Sequence, residues 1–195
     1  MNPAATFDVL AIHNHLRRSL GSISRAELHL FAYLACLLSL YDRAPASEWR
    51  YSFVATEFGT PFSSELEAAF GDAILTGTVA PEGDEDLTAL TSYGDEEFRD
   101  LSTLLTTKAR DRFIEAACAT ALVVPLAVAR SAINNDRRIK ASESLQSSRA
   151  LLTEDWFEDV HAQFDVLRAA VGDASIDLLA PAVVWLRYFG ESDVA

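Results

Sequence analysis

The chain has 195 residues and carries 16 basic against 29 acidic side chains, a formal net charge of −13. Hydrophobic residues make up 50% of it, which excludes disorder as the overall state. Apolar runs are too short or too interrupted to span a bilayer, and the first residues lack the basic and apolar regions of a secretory signal. We therefore expect a cytoplasmic protein without membrane contact.

Two helices are predicted near the N-terminus. The apolar spacing of Phe7–Leu20 favours a first helix that ends near Gly21. Ser24 and Glu27 have the spacing of a capping box, which predicts the start of a longer helix that continues to Tyr41. Because that helix is apolar on more than one face, we expect other elements to cover it on several sides.

An aromatic-rich connector follows the turn at residues 42–47. It contains Trp49, Tyr51, Phe53 and Phe58. Aromatic residues at such positions more often pack in a core or between domains than stack on a base or a ligand. An exposed Trp49 or Phe53 would instead supply apolar contact area to a partner protein.

A third helix is predicted over residues 64–76. Ser64 and Glu67 form a second capping-box pattern, and Gly77 is a natural left-handed end. Val79–Ala80 and Leu87–Leu90 then indicate two short strands around an acidic turn.

The motif Leu90-Thr91-x-x-Gly94 opens the next helix. Helix, β-hairpin, helix is the order found in a winged helix. We therefore predict a winged-helix-like N-terminal half.

The acidic charge is concentrated in this half. The stretch from Glu57 to Asp100 holds twelve acidic residues and a single basic one, Arg99, and so accounts for 11 of the 13 net negative charges. A winged helix that binds duplex DNA needs cations on its third helix and hairpin. We therefore expect weak or no DNA binding by the chain alone, and we interpret the stretch as a docking surface for a basic partner. The candidate partner-binding residues are Glu65, Glu67, Asp72, Glu82, Asp84, Glu85 and Asp86, with the aromatics Trp49 and Phe53.

The second half is predicted to be helical throughout. One long apolar segment runs from Phe113 to Val128 and should be kinked by Pro125. Two more helices follow, one between Thr153 and Gly172 and one over Ile176–Phe189. The predicted fold is mainly α with a small β-hairpin: a winged-helix-like domain with long N-terminal helices (residues 1–107) followed by a helical bundle domain (residues 108–195).

One basic segment stands out in the second half. Residues 130–149 hold five basic and two acidic side chains. A solvated surface is the simpler interpretation. The alternative is a contact to nucleic acid or to an acidic partner through Arg137, Arg138 and Lys140.

Motifs for catalysis or for metal and cofactor binding are missing from the sequence. No serine lies in a Gly-x-Ser-x-Gly turn, no glycine-rich phosphate loop is visible, and the four histidines lack zinc-site spacing. Cys36 and Cys118 lie in apolar helical patterns and are predicted to be small buried hydrophobes. We therefore expect a protein that is not an enzyme and has no metal or cofactor.

The order of these features over Leu28–Leu101 resembles a group of small bacterial accessory subunits. The shared features are a leucine-rich helix, an aromatic connector, Gly-x-Pro-Phe-Ser at a helix start, an acidic hairpin and Leu-Thr-x-x-Gly. The group comprises the middle components of three-component ABC-ATPase systems and the small subunit of Lamassu-type anti-phage systems. The resemblance implies a bridge between an ATPase of the structural-maintenance-of-chromosomes (SMC) type and an effector protein.

Three functions remain in view at this point. The first is a non-enzymatic adaptor in such an anti-phage system. The second is a winged-helix transcription regulator, with the basic segment as a displaced DNA contact. The third, less favoured, is a small ligand sensor or enzyme with a pocket near the aromatic connector.

Overall fold

The computed structural model describes residues 2–171 and 177–190, and this part of the chain is mainly helical with two small antiparallel sheets. Its helices are α1 (Pro3–Leu16), α2 (Arg25–Tyr41), α3 (Ser64–Thr76), α4 (Ser92–Ser102), α5 (Leu105–Ala119), α6 (Leu126–Asn134), α7 (Arg137–Ser144), α8 (Glu154–Val171) and α9 (Leu179–Gly190). Its strands are β1 (Ile23–Ser24), β2 (Val54–Ala55), β3 (Pro61–Phe62), β4 (Val79–Glu82), β5 (Asp84–Leu90) and β6 (Arg149–Ala150).

The predicted hairpin forms the first sheet. Its strand order is β1-β5-β4, with Ile23 opposite Thr88 and Val79 opposite Leu90. The turn is shorter than the sequence indicated, because Gly83 alone separates the strands, with a φ of 72° that glycine adopts without strain. Strand β1 was not predicted, since a pair of residues leaves no alternation to recognise.

The aromatic connector contributes to the second sheet. Its strand order is β3-β2-β6, with Val54 opposite both Phe62 and Ala150. Strand β6 comes from the C-terminal half, so this sheet ties the two halves of the chain together. Each of its strands has two residues, too few for a periodic signal in the sequence.

Helices α1 and α2 form the centre of the hydrophobic core. Nearly all of α2 is buried, as its apolar faces predicted. Helix α5 covers part of it and also packs on α1, through buried residues that include Phe113 and Ile114. The predicted domain boundary after Thr107 falls inside α5, and the buried core continues across it.

The helix caps agree with the sequence at α2 and differ at α3. Ser24 Oγ accepts from the Glu27 amide at 3.3 Å, and the Ser24 amide donates to Glu27 Oε2 at 2.7 Å, so the predicted capping box is confirmed. At α3 the cap is Ser63, whose Oγ accepts from the Leu66 amide. The predicted box of Ser64 and Glu67 is wrong, because Ser64 is already helical.

Proline separates two helices in the C-terminal half rather than kinking one. Helix α5 ends at Ala119, a short 3-10 turn follows, and Pro125 precedes α6 with a ψ of 138° that lies outside the helical range. The predicted single kinked helix is therefore wrong. In α9, Pro181 lies in the first turn, where its missing N–H costs no hydrogen bond.

The described C-terminal helices agree with the remaining predictions. Helix α8 follows Thr153, and α9 packs on α6 and α8. The predicted boundary residues Gly172 and Ile176 lie outside the described residues. Across residues 2–171 and 177–190, no helix is both long enough and apolar enough to cross a bilayer.

Candidate functional site

The acidic hairpin, residues 79–90, presents carboxylates to solvent. Glu82 at the end of β4 and Asp86 in β5 are both exposed. The side chains of Asp84 and Glu85, which the sequence placed in the same group, lie outside the described part of the structure. The hairpin therefore offers a partner at least two unburied negative charges.

Helix α3 uses part of its acidic charge inside the fold. Glu67 accepts from Arg25 Nη1 at 3.0 Å and from His29 Nε2 at 3.3 Å, which joins α3 to the start of α2. Partial burial opposes ionisation of Glu65, but hydrogen bonds from its own amide and from the hydroxyls of Ser64 and Ser63 lower its pKa. With Glu67 paired, α3 has less free charge than the sequence suggested.

Thr91 and Gly94 hold the hairpin against α4. Thr91 Oγ1 accepts from the Gly94 amide at 3.1 Å, and the Thr91 amide donates to the Thr78 carbonyl at 3.0 Å. A Cβ atom at Gly94 would lie 2.1 Å from the Thr78 oxygen, so only glycine allows α4 this close to β4. This geometry explains the Leu-Thr-x-x-Gly motif as a structural device.

His13 holds the other side of the hairpin against α1. Its Nδ1 lies 2.7 Å from the Val9 carbonyl oxygen, so this nitrogen carries the proton, and its Nε2 lies 3.0 Å from Thr88 Oγ1 in β5. Burial lowers the pKa of His13 to about 4, against the raising effect of the Val9 hydrogen bond. His13 is therefore neutral near pH 7.

Helix α4 carries four of the acidic residues of the segment. Asp95 is paired with Arg17 at 3.3 Å and with Arg99 at 2.8 Å. The exposed carboxylates of this helix are those of Glu96 and Asp100. The hairpin and α4 thus keep free carboxylates, while Glu67 and Asp95 serve the fold.

The aromatic candidates are buried. Trp49 is 3% exposed and Phe53 is 0% exposed, so the expectation that they offer apolar surface to a partner is wrong. Phe53 packs on Tyr33 with ring centroids 5.3 Å apart, and the Arg110 guanidinium lies 3.8 Å from the Trp49 ring. Core packing, the interpretation that the sequence favoured, is the correct one.

A buried ion pair lies beneath Trp49 and was not recognised in the sequence. Arg110 Nε and Nη2 donate to the two carboxylate oxygens of Asp8 at 2.5 and 2.6 Å, and the Tyr51 hydroxyl donates to the same carboxylate at 2.5 Å. Burial raises the pKa of Asp8, and the opposing charge of Arg110 acts to lower it. The only signal in the sequence was one acid in the apolar pattern of α1.

The basic segment does not present all of its cations together. Arg130 donates to Glu27 at 2.8 Å, and Arg138 donates to the Thr153 hydroxyl. Arg137 and Lys140 on α7 are exposed. The segment therefore combines residues that tie the fold together with a smaller exposed basic surface.

Both cysteines are free and buried, as predicted. Burial raises the pKa of each thiol, so Cys36 and Cys118 are poor nucleophiles. Within the described residues, histidine, cysteine and carboxylate side chains form no group that could hold a metal ion.

Comparison of the chain with protein-family models, curated proteins and solved structures found no match. The candidate site therefore rests on the geometry described above.

Proposed function

We propose that the chain is a non-enzymatic accessory subunit whose acidic hairpin docks on a basic surface of a partner protein. The observation that carries this proposal is the pair of exposed carboxylates, Glu82 and Asp86, on a hairpin fixed from two sides. The Thr91–Gly94 junction holds it against α4, and His13 holds it against α1. A charged hairpin held in this way would guide the orientation and raise the encounter rate of a complex with a basic partner.

We further propose that the N-terminal half is a winged helix. The order α1, β1, α2, α3, β4, β5, with β1 paired to the second hairpin strand, supports this. A departure from the simplest arrangement is the long connector of residues 42–63 between α2 and α3, which contributes β2 and β3 to a second sheet.

The proposed partners are an SMC-type ABC ATPase and an effector protein of a bacterial anti-phage system, with the complex acting in the cytoplasm. This part of the proposal comes from the resemblance over Leu28–Leu101. The acidic charge agrees with it, because an ATPase that holds DNA has basic surfaces on which an acidic subunit can dock.

A winged-helix transcription regulator fits the charges less well. Its third helix would enter the major groove, but α3 presents Glu65 and Asp72 on sides that are not fully buried. Arg138, one of the three cations considered as an alternative DNA contact, already donates a hydrogen bond to the Thr153 hydroxyl. For a regulator, the exposed cations Arg137 and Lys140 would lie on α7 rather than on the third helix.

Affinity purification of the tagged chain from its native cells tests the partner class. We expect an SMC-type ATPase in stoichiometric amount, identified by mass spectrometry. Recovery of a discrete DNA fragment without an ATPase would instead support the regulator.

A further inference from the structure

An open groove of about 690 Å³ lies next to the buried ion pair of Asp8 and Arg110. None of its lining residues belongs to the acidic hairpin. Its walls come from the start of α1, from the short 3-10 turn at Ala46–Trp49 and from the first half of α5. Pro3, Ala44 and Ala109 supply accessible apolar surface, whereas the rings of Phe7, Trp49 and Phe113 are almost fully buried in its floor. This volume is in the range of small-molecule sites, which are largely apolar with a few polar groups.

The ion pair presents only its cationic side to this groove. The Asp8 side chain is 0% exposed and is enclosed by Arg110 and Tyr51, whereas the Arg110 side chain is 10% exposed and lines the groove. A guanidinium has further N–H groups beyond the two that Arg110 gives to Asp8. A ligand in the groove can therefore reach N–H donors, but not the carboxylate behind them.

A second cation lines the same groove. Arg50 is exposed, and its side chain forms no ion pair with any described residue. The side-chain amide of Asn2 donates to the Arg50 carbonyl at 2.9 Å, and Arg50 has a left-handed conformation with φ 71°. Glu48, on the exposed turn, is the one carboxylate among the lining residues.

We propose that this groove binds a small organic anion, an alkyl or aryl carboxylate. Its apolar body lies against Pro3, Ala44 and Ala109, and its carboxylate faces the guanidinium groups of Arg110 and Arg50. Arg110 is pre-organised for this role because Asp8 and the Trp49 ring fix its position, so little rotamer freedom is lost on binding. The site is independent of the proposed docking hairpin.

Titration with octanoate and with octan-1-ol, followed by amide chemical shifts of the full chain, tests the proposal. The two probes share an apolar chain and differ in charge. We expect saturable octanoate binding with a Kd on the order of 0.1–1 mM, with shifts at the groove residues. Octan-1-ol should bind at least about fivefold more weakly. Equal binding of both probes, or octanoate shifts confined to another surface, would overturn the assignment.

Charge variants test the sign of the ligand. Arg50→Asn removes the cation and keeps a residue that tolerates positive φ, and it should weaken octanoate binding by about fivefold. Arg43→Asn is the matched control, since Arg43 also has a positive φ of 65° and lies outside this groove. Glu48→Gln should tighten binding by about twofold. The opposite pattern, or no change in octanoate binding, would contradict the proposal.

A blocking variant tests the location. Ala109 in α5 is exposed and lines the groove, so Ala109→Trp should fill it and abolish octanoate binding while the core stays intact. Ala127→Trp, at an exposed position on α6 outside the groove, controls for an added surface indole and should leave binding unchanged. Unchanged binding by a folded Ala109→Trp variant would overturn the proposal. If that variant fails to fold, the Arg50→Asn result decides.

Discussion

The amide nitrogen of Thr91 and the backbone of Gly94 both approach one atom, the Thr78 carbonyl oxygen. The first donates to it at 3.0 Å, and a Cβ on the second would lie 2.1 Å from it. Because this oxygen belongs to the backbone, it cannot move aside cheaply. Gly94→Ala should therefore shift α4 and lower the free energy of unfolding by about 1–3 kcal/mol, measured by urea denaturation.

Gly71→Ala is the matched control for that variant. Gly71 lies inside α3, and a Cβ there would meet no atom within 4 Å. Alanine should therefore stabilise the helix by about 0.5–1 kcal/mol. Similar effects of the two substitutions would contradict the close approach of α4 to β4.

Removal of one partner from the buried pair of Asp8 and Arg110 should lower the free energy of unfolding strongly. Asp8→Asn leaves a guanidinium buried without its counter-charge, and the expected loss is about 3–5 kcal/mol in the free energy of unfolding. Asp42→Asn breaks a second Asp–Arg pair, with Arg112, in which both side chains are well exposed. That variant should lose about 1 kcal/mol or less, and equal losses in the two variants would show that burial does not govern the effect.

His13 should make stability depend on pH in acid. Its pKa is about 4 in the folded protein and about 6.5 when unfolded, so the unfolded state binds more protons between these values. Stability is therefore retained above about pH 6.5 and falls as the pH drops towards 4, by up to about 3 kcal/mol from this residue. The urea midpoint of the wild type should fall more steeply over this range than that of His13→Gln, and parallel pH profiles would contradict the assignment.

The isolated chain should bind duplex DNA poorly. Glu82, Asp86 and the free carboxylates of α4 would repel phosphate, so we expect a Kd weaker than about 10 µM at about 150 mM salt by fluorescence anisotropy. Submicromolar binding under these conditions would contradict the assignment of the hairpin to a protein partner.

The sequence predicted best the features that depend on local chemistry. The Ser24–Glu27 capping box, the left-handed end at Gly77 and the β4–β5 hairpin all follow from side chains a few residues apart, and each is present. The cap at Ser63 was missed by one residue because two adjacent serines offer the same hydroxyl, and only the backbone angles choose between them.

Features that depend on distant contacts could not be predicted. Asp8 and Arg110 are far apart in sequence, and the residues around each of them do not indicate its partner. Strand β6 pairs with β2 across about half of the chain, which no short-range periodicity reveals. The contact of the Trp49 ring with the Arg110 guanidinium likewise joins distant parts of the chain.

The most direct test of the docking proposal is the affinity of the purified chain for the protein that copurifies with it, measured with and without the hairpin charges. Glu82→Lys combined with Asp86→Lys should preserve cooperative unfolding, weaken binding at least tenfold and reduce its salt dependence. The control combines Glu115→Lys with Glu143→Lys, at exposed positions outside the hairpin, and should bind as the wild type does. Unchanged affinity of the hairpin variant, or equal weakening in the control, would contradict the proposal.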